Sequence, residues 1–140
     1  GRIKDFDIFK KYLDQHLLYA DNWSVIDQLP INIKHQEDKY FLLAKEYIKS
    51  DKTFTRRMGY NILRKFVKNE KYINEIYQII DQSTNETEYY VNMMISWLVC
   101  ELFIHHRDLT IEYLNHHHLN KFVINNSNYN YGIISFNISR

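Results

Sequence analysis

Apolar residues return at intervals of three and four along nearly the whole chain, which is the spacing of amphipathic helices rather than of strands. Ile8, Phe9, Tyr12, Leu13 and Leu17 mark a first helix. A second starts near Asp21, a residue type that caps helix N-termini, carries Trp23 and Ile26, and ends near Pro30, whose ring cannot continue a helix. Tyr40 to Ile48 is a third. Ser50-Asp51 stops it, and a fourth runs from about Thr53 to Val67. Tyr72 to Ile80 is a fifth. The polar run Ser83-Thr84-Asn85-Glu86 separates it from a long apolar helix, Tyr89 to Ile104, and Leu109 to Leu114 begins another. The Asn- and His-rich stretch from His116 to Asn130 reads as loop, and the tail from Tyr131 to Ile138 as a short helix or an extended piece.

The linkers between these segments are short, so consecutive helices pair as antiparallel hairpins that stack on one another. An internal repeat supports this. With Phe54 set over Tyr90, an offset of 36 residues, Arg57 falls over Met93, Met58 over Met94 and Ile62 over Leu98. That offset is close to the roughly 40-residue period of HEAT-like helix pairs, whose inner helices line a concave groove. The expected architecture is all-α: an α-α superhelix of HEAT-like helix pairs, with residues 1–140 forming one domain. Only three Gly and one Pro occur, too few turn formers for an all-β sandwich or barrel.

Composition adds limits more than identity. No run approaches the 18 apolar residues of a membrane span, and no signal peptide is present. Cys100 is the one cysteine, which rules out a disulfide framework and favours a reducing, cytoplasmic setting. The net charge is only +1. Its distribution is uneven. Residues 44–71 hold Lys45, Lys49, Lys52, Arg56, Arg57, Arg64, Lys65, Lys68 and Lys71 against Glu46, Asp51 and Glu70. Residues 72–104 hold Glu75, Asp81, Glu86, Glu88 and Glu101 and no Lys or Arg. A basic block of this kind is either a solvated helix face or a footprint for phosphates.

Three features carry candidate chemistry. Trp23 and Asp27 are four residues apart and share a helix face. The indole offers a cation–π surface, and the carboxylate offers charge where positive charge builds up. Phe54-Thr55-Arg56-Arg57 supplies a guanidinium able to grip a phosphate bidentately. Trp97 sits mid-helix, with Glu101 one turn on. Each alone has an ordinary structural explanation in core packing or helix stabilisation.

Their order and spacing resemble a known family. Asp21-Asn22-Trp23-Ser24-Val25-Ile26-Asp27, then Lys49 to Arg57, then Tyr89-Tyr90-Val91 through Trp97 and Glu101, resemble the DNA alkylation repair (AlkD-like) HEAT-repeat glycosylases over roughly residues 5 to 115. The resemblance implies a superhelix that grips duplex DNA and hydrolyses the N-glycosidic bond of cationic N3- or N7-alkylated purines. It implies no base-flipping pocket, no metal and no cofactor, and it suits a monomer. Asp27 matches the catalytic carboxylate that stabilises the oxocarbenium-like sugar. Trp23 and Trp97 match aromatic residues that contact the deoxyribose and backbone. Arg57 matches the arginine that holds a phosphate, and Arg56 and Lys52 accompany it. Family members have about two further helix pairs ahead of the segment seen here, so the resemblance is to their C-terminal portion. Where the family often has a lysine, this chain has Met93.

The His116-His117-His118 run, with His105 and His106, lacks the cysteine or acidic partners of a familiar zinc spacing. His105 and His106 are expected instead to end a helix, where partial positive charge is favourable. P-loop, GxGxxG, GxSxG and HExxH patterns are absent. Two function classes follow: a glycosylase acting on alkylated DNA, or a non-catalytic HEAT-like module that binds DNA structures or a protein partner.

Overall fold

The computed structural model describes the backbone of residues 2–18 and 31–131, and the side chains of 6–17 and 31–127. Among the described residues are seven helices and no strand. They are α1 (Arg2–Leu18), α2 (Glu37–Ile48), α3 (Thr53–Arg64), α4 (Glu70–Asp81), α5 (Tyr89–His105), α6 (Arg107–Leu114) and α7 (Lys121–Tyr131). The all-α expectation holds, and the packing is compatible with a helical-repeat superhelix. The helix expected between Asp21 and Pro30 lies outside the described residues, as does the tail beyond Tyr131. No helix among the described residues is long and apolar enough to cross a membrane. The chain divides into two compact units, Gly1–Lys65 and Phe66–Arg140.

In the first unit, α1 buries Phe6, Leu13 and Leu17. Phe6 meets Tyr40 of α2 edge-on at 4.9 Å between ring centroids. Tyr47 of α2 donates its hydroxyl to the Asp14 carboxylate, which also pairs with Lys10 at 2.8 Å. Burial, reinforced by Asp14, pushes the Tyr47 phenol well above its ordinary value, so it remains a neutral donor. A four-residue turn joins α2 to α3. Within it Ser50 Oγ accepts from the Lys52 amide at 3.1 Å, and the Ser50 carbonyl accepts from Arg56 Nη1 at 3.1 Å. Gly59 lies where α3 comes closest to α2: a Cβ there would stand 2.7 Å from Ile48 Cγ1 and 2.9 Å from both the Ala44 carbonyl oxygen and the Ile48 amide nitrogen.

The sequence pattern carries α3 on to Val67, but the helix ends at Arg64. The Lys65 amide bonds the Ile62 carbonyl and the Asn69 amide bonds the Phe66 carbonyl, each at 2.9 Å. Phe66 and Val67 are still buried, so their apolar character marks packing rather than helix.

In the second unit, Asn69 caps α4, its side chain accepting from the Lys71 amide at 3.1 Å. Only His106 separates α5 from α6, and its Nε2 donates to the Val67 carbonyl at 2.6 Å. The expected helix end at His105 and His106 is where α5 stops. Cys100 is free and buried. Burial pushes its thiol up to about 12, which leaves it inert at neutral pH.

The loop expected from His116 to Asn130 is helical over most of its length. Residues 121–131 form α7 rather than loop. Asn120 starts it, its side-chain oxygen accepting from the Val123 amide at 3.0 Å while its amide donates to Asn92 Oδ1 at 3.0 Å. Leu119, Val123 and Ser127 are buried at four-residue spacing, and α7 packs on α5. Packing of this narrow face outweighs the poor helix propensity of the Asn residues.

The His116 to His118 stretch is pinned by Asp81 at the end of α4. Asp81 Oδ1 accepts from Tyr113 Oη and from the His118 amide, both at 2.7 Å, and Oδ2 lies 2.8 Å from His118 Nδ1. Burial alone would push the Asp81 carboxyl up. The hydrogen bonds from Tyr113 and His118 outweigh it and hold the carboxyl below its ordinary value. Its contribution to stability is therefore present above about pH 4 and is lost as pH falls through the lower folded value. We expect Asp81→Ala to cost about 2 kcal/mol, because the buried Tyr113 hydroxyl loses its acceptor. Thermal melts from pH 7 to pH 3 should show the mutant-to-wild-type gap closing at the acid end. A constant gap would assign the loss to packing.

The repeat is visible in burial. Met58 and Ile62 of α3, and Met94 and Leu98 of α5, are all fully buried at the paired positions. Asn61 and Trp97 also pair at that offset and differ: Asn61 is buried and Trp97 is 43% exposed.

Candidate nucleic-acid interface

Two surfaces bear on the predicted chemistry, one in each unit. The first is the N-terminal end of α3. Lys52 stands at the N-cap, exposed, with Arg56 one turn further on and half-buried. The helix has no acidic residue in its first turn and no side-chain cap, whereas α2 opens on Glu37 and Asp38. The first turn of α3 thus carries no carboxylate of its own, although Asp51 directly precedes Lys52. Such an end accommodates an oxyanion. Arg57 is placed differently. Only 4% of it is exposed, it interacts within the fold, and no buried side-chain polar atom among the described residues lacks a hydrogen-bond partner.

The second surface is a strip along α5. Through the middle of this helix Val91, Asn92, Met94, Ile95, Ser96, Leu98, Val99, Cys100 and Leu102 are buried. Met93, Trp97 and Glu101 reach solvent between them, with Tyr90 before and Phe103 and Ile104 after; Tyr90, Met93, Trp97, Glu101 and Ile104 recur at helical spacing. At the start of the strip Tyr89 meets Tyr90 and Phe122 of α7 edge-on, at 5.1 and 5.6 Å.

Trp23 and Asp27 lie outside the described residues. Lys52, Arg56 and Arg57 fall within six residues at one helix end, and Trp97 is the exposed indole of α5. Among the described residues no group of three or more His, Cys, Asp or Glu side chains is placed to hold a metal ion. Asp81 takes up His118 instead, and the His117 ring accepts from the Leu119 amide at 2.9 Å. Burial holds the His117 imidazole below its ordinary value. Sequence reasoning missed the Asp81–Tyr113–His118 cluster, since its partners are 32 and 37 residues apart and nothing local announces the link.

No curated protein and no solved structure matches the chain. A family model does: the one described as DNA alkylation repair enzyme matches residues 2–127.

Proposed function

Because the chain belongs to the DNA alkylation repair enzyme family, we propose that it is a DNA glycosylase that removes cationic N3- or N7-alkylated purines from duplex DNA. The observation that carries this reading is the extent of the match, which spans all three motifs and both units. In the proposed reaction Asp27 faces the deoxyribose and stabilises the positive charge that develops as the glycosidic bond breaks. An alkylated purine is already a good leaving group, because departure removes its charge. The protein then needs an anion near the sugar and a rigid grip on the backbone rather than a pocket for the base. Trp23 and Trp97 pack against the sugar track. Lys52 and Arg56 meet a phosphate at the start of α3. Arg57, matched to the phosphate-holding arginine by the resemblance, stands behind them, only 4% exposed. No metal or cofactor takes part, and the chain acts on DNA as a monomer in the cytoplasm.

The test is base release. Duplex DNA carrying N7-methylguanine should lose that base faster with the protein than in buffer. Binding without release would favour a non-catalytic HEAT-like module on DNA, and no binding would favour a protein-binding scaffold. The phosphate assignment has its own check. Lys52→Ala should weaken duplex binding about threefold, equally for alkylated and plain DNA, and lower the salt dependence by about one charge. An unchanged salt slope, measured by fluorescence anisotropy across a salt series, would remove Lys52 from the interface.

A further inference from the structure

The histidine run between α6 and α7 holds a hydrogen bond that works in one protonation state. The Leu119 amide donates to Nδ1 of the His117 ring at 2.9 Å. A backbone amide can only donate, so Nδ1 must present a lone pair and the ring must be neutral, with its proton on Nε2. A second proton would set two donors face to face and break the bond. The same reach, from a side chain to the amide two residues on, occurs at Asn32, Ser50, Asn69 and Glu86, where the acceptor is an oxygen. Amide and hydroxyl oxygens do not take up a proton in this way, and glutamates ordinarily do so at about pH 4. At His117 the acceptor is a ring nitrogen, of a kind that titrates just below neutrality. The bond also sits where α7 is fastened. Leu119 is buried. Asn120, the next residue, caps α7 through the Val123 amide and donates to the Glu86 carbonyl and to Asn92 Oδ1 of α5. Within the first turn of α7, Phe122 meets Tyr89 of α5 edge-on at 5.6 Å.

We infer that His117 is a pH-sensitive latch: its neutral ring fastens the connection into α7, and protonation releases Leu119 and loosens the start of that helix from α5. The groups around the ring pull in different directions. Burial is the largest influence and disfavours the charged ring. Asp81 at the end of α4 favours it, while His118 and His116 on the same segment oppose it. The ring of Tyr113, on α6, lies 6.5 Å away between centroids. The net result holds the imidazole below its ordinary value, so the latched state binds the proton more weakly than the released state. Stabilisation by the latch is therefore complete above about pH 6.5, the ordinary histidine value. It is lost as pH falls from there to the lower value in the fold. Asp81, whose carboxyl lies below its own ordinary value, stays charged as release begins and keeps its hold on His118. The latch goes beyond the glycosylase reading and stands or falls without it.

Amide hydrogen exchange, followed by NMR on the whole chain from pH 7 to pH 5, tests this. After correction for the intrinsic pH dependence of exchange, protection of the Leu119 and Val123 amides should fall about threefold or more in wild type. His117→Asn offers an oxygen acceptor at the reach already used by Asn32 and Asn69, and its protection should stay nearly level over the same range. His117→Ala, with no acceptor, should be poorly protected throughout. In wild type the carbon-bound protons of the His117 ring and the Leu119 amide should shift together, with one midpoint below about 6.5, a result that needs no variant to fold. Protection that falls equally in wild type and His117→Asn assigns the effect to another group and overturns the latch. So does wild-type protection that stays level, a Leu119 amide that titrates apart from the His117 ring, or His117→Ala as well protected as wild type at pH 7.

Discussion

Asp27→Asn is expected to slow release of N7-methylguanine from duplex DNA by about 10²- to 10³-fold in single-turnover kinetics, with DNA affinity nearly unchanged. The size follows from the charge removed. A unit anion about 4 Å from a developing unit cation contributes about 4 kcal/mol at the effective dielectric of a protein surface, and loss of one preorganised electrostatic partner costs a similar factor. Affinity for the ground state should hold because the sugar is neutral until the bond breaks, so the interaction belongs to the transition state. The rate and the affinity thus separate the proposed role from a structural one. If Asp27 only supported its helix, Asn would change the two together or leave both alone.

Gly59→Ala should be the most damaging single-methyl change in the first unit. On propensity alone, alanine inside a helix would stabilise α3 by about 1 kcal/mol. Here the added Cβ meets the Ile48 side chain at 2.7 Å, and the Ala44 carbonyl and Ile48 amide of α2 at 2.9 Å. Two of those three neighbours are backbone, so α3 must move away from α2 as a body. Overpacking of this kind costs more than the propensity gain, and we expect a net loss of about 2 kcal/mol, roughly 5–10 °C in Tm. Gly59→Val should be worse. Leu42→Ala, at an exposed position on α2, should stay within about 0.5 kcal/mol of wild type. A Gly59→Ala protein as stable as wild type would show that the two helices have room to spare.

The sequence made the helices legible where burial has helical spacing and strong propensity. Tyr40 to Ile48, Tyr72 to Ile80 and Tyr89 to Ile104 each fall within the helices found. The side chains that the 36-residue offset pairs, Met58 with Met94 and Ile62 with Leu98, are alike in being fully buried. It did not predict α7. That helix buries Leu119, Val123 and Ser127, a line in which one member is polar, and its Asn residues favour turns when nothing packs against them. The end of α3 was misplaced for a related reason, because Phe66 and Val67 continue the core after the helix has stopped.

The candidate interface was legible in part, and for reasons of the same kind. Trp97 stood out by residue type. Its exposure on an otherwise largely buried helix depends on what packs around α5 and has no local signal. Gln, Asn or Lys in place of Glu101 would leave the hydrophobic pattern of the helix unchanged, so periodicity says nothing of the charge beside the indole. Arg57 shows the converse. Its type and place in the motif suggest an open phosphate grip, while only 4% of it is exposed. Lys52 and Arg56, chosen with it from one basic run, are the members placed toward solvent.

The most direct test is a crystal structure of the protein bound to duplex DNA containing a 1′-aza sugar, a stable cation that stands for the oxocarbenium-like deoxyribose. The carboxylate of Asp27 should lie within about 4–6 Å of that positive nitrogen, with the indoles of Trp23 and Trp97 against the same nucleotide. A complex in which the cationic sugar sits apart from Asp27, or contacts it with neither indole nearby, would contradict the proposed mechanism.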